Sequence, residues 1–110
     1  MKVKELAQNQ TFQILTGDIG LDREISGAFV GDLLSVVMSK AHENNAWLTI
    51  QTHLNIIAVA TLIEMAVIVV VEDMEVPQET IDKAIEEALP ILKTSLPAYD
   101  VAKLLVEAGV

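Results

Sequence analysis

The sequence predicts an α/β fold, three layers deep, with a mainly parallel sheet between two layers of helices in a single small domain. Three observations predict it. Short apolar runs alternate with stretches of helical period along the whole chain. One run, Ala66 to Val71, is continuously β-branched rather than alternating, as in strands covered on both faces. The length, 110 residues, is that of one compact domain, and no Gly/Ser/Pro-rich stretch marks a linker or boundary inside 1–110.

Val3 to Asn9 reads as a first helix and Phe12 to Leu15 as a strand. Gly17-Asp18-Ile19-Gly20 is a turn built from residues that tolerate unusual dihedrals, and an extended piece runs from Glu24 to Val30. Leu33, Leu34, Val37, Met38 and Ala41 recur at helical spacing, with Asp32 near the N-terminus, where a carboxylate suits the helix dipole. His42 falls near the other end of that helix, where a cation suits it. A strand from Trp47 to Ile50 leads into a helix from Leu54 to about Glu64 and then the Ala66–Val71 strand, which makes a βαβ unit. Ile81, Ala84, Ile85, Ala88 and Leu89 stripe a fourth helix, which Pro77 starts and Pro90 closes, with Glu79, Asp82, Glu86 and Glu87 on its solvated face. Ile91-Leu92-Lys93 is a short strand, and Val101, Leu104, Leu105 and Ala108 mark the last helix. No short-period repeat is present.

The stretch Leu54 to Val71 has the length of a membrane span, but it is interrupted by Asn55, Thr61 and Glu64 and changes midway from Ala/Ile/Leu-rich to β-branched. A buried helix followed by a buried strand accounts for it better. Sixteen acidic residues against seven basic give a formal charge of −9, which repels nucleic acid and anionic membrane surfaces. With one Trp, one Tyr and two Phe, the chain also lacks stacking platforms for single strands. It has no cysteine, and its start, Met1-Lys2-Val3-Lys4-Glu5, lacks the apolar core of a signal peptide, so a cytoplasmic location is expected.

Parallel neighbours ending at Ile50, Val71 and Lys93 would align Thr52/His53, Glu72/Asp73 and Thr94/Ser95 along one sheet edge, where open α/β sheets bind ligands. In the polar knot Gln51-Thr52-His53-Leu54-Asn55, Thr52 can cap the third helix, or the first-turn N–H groups can hold a carboxylate or phosphate. His53 can donate to an anion or simply pack in the turn. Glu72 and Asp73 are solvated loop charges or, with water, ligands of a divalent cation. Asp22-Arg23 is a local ion pair or a brace in which the guanidinium holds backbone carbonyls. Ser35 and Thr94/Ser95 lack a nucleophile elbow and a base partner, and neither a GxxxxGK[ST] loop nor a GxGxxG turn occurs, so no enzyme activity, cofactor or metal is expected.

The succession of "TGDIGLDREISGAFVGDLLS" (residues 16–35), "WLTIQTHLNIIAVA" (47–60), a β-branched strand and "PILKTSLPAYDVAKLL" (90–105) resembles the DRTGG domain over nearly the whole chain. The family's fold is similar to that of the N-terminal domain of HPr kinase/phosphorylase. The resemblance implies a regulatory module without catalysis and a homodimer. The family's Asp-Arg pair maps onto Asp22 and Arg23, and a following glycine onto Gly27. Where relatives carry a Thr-Gly-Gly-like turn after the central strand, this chain has Val71-Glu72-Asp73.

Two functions follow from different classes. One is a regulatory sensor of a nucleotide or other anionic metabolite, bound through Thr52, His53, Asn55, Thr94 and Ser95. The other is a dimerisation or protein-interaction module with no small ligand, and a homodimer is compatible with both.

Overall fold

The computed structural model describes all residues, 1–110. Its elements are α1 (Val3–Ala7), β1 (Phe12–Ile14), β2 (Ala28–Val30), α2 (Leu34–Lys40), β3 (Ala46–Thr49), α3 (Asn55–Ile63), β4 (Val67–Val70), α4 (Gln78–Glu86), β5 (Ile91–Thr94) and α5 (Ala98–Glu107). The five strands form one sheet in the order β1-β5-β4-β3-β2. β2, β3, β4 and β5 are parallel neighbours, and β1 closes the β5 side antiparallel. The expected α/β/α architecture with a mainly parallel sheet is what the chain adopts.

The period-two geometry of strands sorts the core into two clusters. Ala46, Leu48, Val67, Val69 and Leu92 pack with Val3 and Leu6 of α1 and Val101 and Leu105 of α5. On the other face Trp47, Ile68, Val70 and Ile91 pack with Val37 of α2, Ile56, Ile57 and Ala60 of α3, and Ala84 of α4. All four residues of β4 are buried, the physical reason that Val67-Ile68-Val69-Val70 is apolar throughout. Buried Trp47 keeps its indole N–H satisfied by donating to the Gly31 carbonyl at 2.8 Å. The stretch with the length of a membrane span is α3 followed by β4, and no helix of the chain is long and apolar enough to cross a membrane.

Most element ends lie within a residue or two of the sequence-based expectation, but the extended piece expected from Glu24 is a strand only from Ala28 to Val30, and the fourth helix departs instructively. The fourth helix stops at Glu86, well before Pro90. Ala88 takes a left-handed conformation (φ 55°), the Leu89 N–H donates to the Ala84 carbonyl and the Ala88 N–H to the Ile85 carbonyl. This is a Schellman stop made without glycine. α3 ends the same way at Glu64 (φ 63°), with the Met65 N–H donating to the Ala60 carbonyl.

Candidate functional site

The parallel strands run so that Asp32, Gln51 to His53, Glu72-Asp73 and Ser95 follow their carboxyl ends on one edge. Thr52 does not cap α3. The side-chain acceptor is instead the Nδ1 of His53, which takes the Asn55 N–H at 3.0 Å, while the His53 carbonyl takes the Ile56 N–H at 3.1 Å and the Leu54 carbonyl the Ile57 N–H at 3.1 Å. The first-turn amides are therefore occupied by the turn itself. A neutral His53 that accepts at Nδ1 carries its proton on Nε2, an outward donor on an exposed side chain. The Thr52 carbonyl accepts from the Thr80 hydroxyl of α4 at 2.9 Å, which ties the knot to the neighbouring helix.

Thr94 is buried, and its hydroxyl accepts the Leu96 N–H at 3.2 Å. Ser95 and Asn55 are exposed. No hydrogen bond joins the Thr52/His53 group to the Thr94/Ser95 group, because β4 and its following turn stand between them. That turn, Val71 to Met74, places Glu72 and Asp73 in left-handed conformations (φ 60° and 56°), the geometry that a Gly-Gly pair adopts without strain. Its amides seal the end of β5: Glu72 N–H donates to the Leu96 carbonyl at 3.0 Å and Asp73 N–H to the Thr94 carbonyl at 2.9 Å.

Three residues of this edge were not singled out as site residues by sequence. Asp32 lies outside the first turn of α2, which holds no acidic residue. Its carboxylate instead accepts from the Thr49 hydroxyl at 2.8 Å and the Ile50 N–H at 2.9 Å, pinning the loop after β2 to the end of β3. Thr80 is wholly buried on α4. Lys93 is the next-to-last residue of β5, with its side chain largely covered and its ammonium 3.4 Å from Glu75 and 3.7 Å from Asp73, both exposed carboxylates. A lysine in an otherwise apolar run, ILK, was the available signal for it. No group of three His, Asp or Glu side chains converges as a metal site.

Asp22 and Arg23 do not pair with each other. Asp22 meets Lys4 at 3.0 Å, and the hydrogen bond and charge of that lysine hold its carboxyl below the usual range. Arg23 is the brace: Nη1 donates to the Met65 carbonyl and Nη2 to the Ala88 carbonyl, both at 3.0 Å. Gly27 sits at φ 109°, where a Cβ would lie 3.0 Å from the Asn45 side-chain nitrogen. These motif residues hold the opposite edge, at the amino ends of β3, β4 and β5. The largest cavity, about 460 Å³, opens there between Arg23, Asn44 and Thr61 and the carboxylates of Glu24, Glu64 and Glu87. Three carboxylates against one guanidinium make it a poor receptor for phosphate.

No protein-family model matches the sequence, and no curated protein matches it. Among solved structures, the chain is similar to the regulatory region, CBS and DRTGG domains, of the Clostridium perfringens pyrophosphatase complexed with its activator diadenosine tetraphosphate. The TM-score is 0.73 at 12% identity, over 96% of this chain and 46% of that one, so this chain spans about half the length of its neighbour. At that identity the likeness establishes a shared fold.

Proposed function

We propose that the chain is a non-catalytic regulatory module of the DRTGG family, and that it senses a nucleotide or other anionic metabolite at the carboxyl edge of its sheet. The observation that carries this reading is the fold it shares, along nearly its whole length, with a regulatory region that binds a nucleotide activator. The local chemistry supports it through three exposed donors, His53 Nε2–H, the Asn55 amide and the Ser95 hydroxyl, with the Thr52 backbone tied to α4 by the Thr80 hydroxyl. Lys93 supplies the cation on that edge, since an incoming phosphate can replace its two exposed carboxylate partners. Thermal unfolding against adenine and guanine nucleotides and phosphorylated metabolites tests the proposal. A ligand at a hundred times its dissociation constant adds about 2.7 kcal/mol, on the order of ten degrees for this size. Thr52→Val with His53→Ala should erase the shift, and a flat screen with wild-type protein rejects the sensor.

A second reading, a homodimeric interaction module, is favoured by a different observation. β2 forms an edge with no strand on its outer side, and apolar Val30, Leu33, Ile50 and Tyr99 are exposed. Sedimentation or light scattering at tens of micromolar distinguishes a monomer of 12.0 kDa from a dimer.

A further inference from the structure

Backbone bonding fixes which groups β2 leaves open. The Gly27 carbonyl accepts from Ala46 N–H and the Gly31 N–H donates to the Leu48 carbonyl. In a parallel ladder alternate residues serve the same neighbour, so Gly27, Phe29 and Gly31 face β3. The N–H and C=O of Ala28 and of Val30 therefore point outward, with no strand to take them. Proteins usually protect such an edge with charge, proline or a bulge. Ala28-Phe29-Val30 has none of these, whereas β1 carries polar Gln13, with Gln10 and Thr11 in the turn just before it.

The surface beside the open edge is apolar too. Asp100, Lys103, Leu104 and Glu107 of α5 line a cleft with Asn9 and Thr11. Helical spacing puts Tyr99 and Val106, seven residues apart, on the other flank of α5, where the helix packs over β3 and β2. Tyr99 is 78% and Val106 70% exposed, and Val30, on the same sheet face as Leu48, is 54% exposed.

From these placements we infer that β2 pairs antiparallel with the β2 of a second copy about a two-fold axis through Phe29, making one ten-stranded sheet. The inference rests on the homodimer of the second reading and names its surface. One register satisfies every outward group: Ala28 opposite the partner's Val30, and Val30 opposite the partner's Ala28. Each is a hydrogen-bonded pair that exchanges two bonds, with Phe29 meeting the partner's Phe29 as the non-hydrogen-bonded pair between them. Shifting by one residue per strand leaves an outward N–H or C=O unpaired. An axis normal to the sheet keeps the same face up in both copies, so the Val30/Tyr99/Val106 flank meets its own image. The paired residues themselves, Ala28, Phe29 and Val30, carry no charge, so the strand pairing brings no carboxylate against another.

The test uses the full chain, which has no cysteine. Wild-type protein should run as a dimer at tens of micromolar. Ala28→Pro deletes an outward N–H and none that serves β3, and should weaken dimerisation at least tenfold. Phe29→Cys should form a covalent dimer on mild oxidation, because a non-hydrogen-bonded pair holds its Cα atoms about 4.5 Å apart, within disulfide reach. Val30→Cys, facing the partner's Ala28, should cross-link far less. A wild-type monomer at several hundred micromolar overturns both this interface and the homodimer. A dimer in which Phe29→Cys does not cross-link, or in which Val30→Cys cross-links better, overturns the interface and leaves the homodimer standing. The cross-linking pair decides between these outcomes even where Ala28→Pro fails to fold.

Discussion

Arg23 and Ala88 are 65 positions apart in sequence, and the guanidinium of the first donates to the carbonyl of the second at 3.0 Å. Its other nitrogen donates to Met65. Both acceptors belong to residues at or just past a left-handed helix stop, where carbonyls have run out of helical partners. One side chain thus clamps the ends of α3 and α4 beside the starts of β4 and β5. The fork geometry explains why arginine stands here, since a lysine can reach only one carbonyl at a time with full strength. Arg23→Ala should cost about 2–3 kcal/mol by leaving both carbonyls without their charge-assisted donor. Arg23→Lys should recover part of that, and the order wild type, Lys, Ala in chemical denaturation checks the assignment.

Gly20 approaches the same junction. At φ 66° a Cβ would lie 2.7 Å from Pro90 Cδ and 3.1 Å from the Ala88 carbonyl oxygen, while at Gly17, with a near-identical φ of 68°, a Cβ would meet nothing within 4 Å. The two positions separate backbone strain from steric clash. Gly17→Ala should cost about 1 kcal/mol, the left-handed penalty alone, and Gly20→Ala about 2–4 kcal/mol, because overpacking is added. Equal losses in urea titrations would mean that the turn moves away from Pro90 without cost.

The layers of this fold were legible in the sequence because burial writes a period into it. The continuous Val67–Val70 run and the stripes of α4 and α5 follow directly from which faces the sheet covers. Helix stops were less legible, since α3 and α4 end on Glu64 and Ala88, residues that carry no stop signal. The position of His53 in the turn before α3 was legible, but the long-range partners of the residues on that edge were not. Thr80 and Asp32 act through contacts 28 and 17 positions away, which no local pattern encodes. The strand order, and with it the open β2 edge, depends on such long-range pairing.

Glu72 should be better replaced by glycine. A glutamate at φ 60° carries a left-handed penalty of about 1 kcal/mol or more, which exceeds the extra chain entropy that glycine brings to the unfolded state. Glu72→Gly should therefore raise stability by about 0.5 kcal/mol, and Ala88→Gly, at φ 55°, by a similar amount. Asp73→Gly should gain less, because aspartate tolerates this region better and its carboxylate lies 3.7 Å from Lys93. Thermal midpoints a few degrees higher for the first two, with a smaller rise for the third, are the expected pattern.

Asp32 gives the last prediction, because its carboxylate does two tasks that substitution can separate. It accepts the Thr49 hydroxyl, which is buried, and the Ile50 N–H at the strand end. Asp32→Asn keeps an oxygen in that place and should cost less than about 1 kcal/mol, whereas Asp32→Ala leaves the Thr49 hydroxyl and the Ile50 amide short of an acceptor and should cost about 1–3 kcal/mol. Thr49→Val with Asp32→Ala removes donor and acceptor together, so a double-mutant cycle should return a favourable coupling on the order of 1 kcal/mol. Hydrogen exchange at the Ile50 amide locates the effect: faster exchange in Asp32→Ala but not in Asp32→Asn would show that this carboxylate, not the helix that follows it, holds the end of β3 beneath the polar knot.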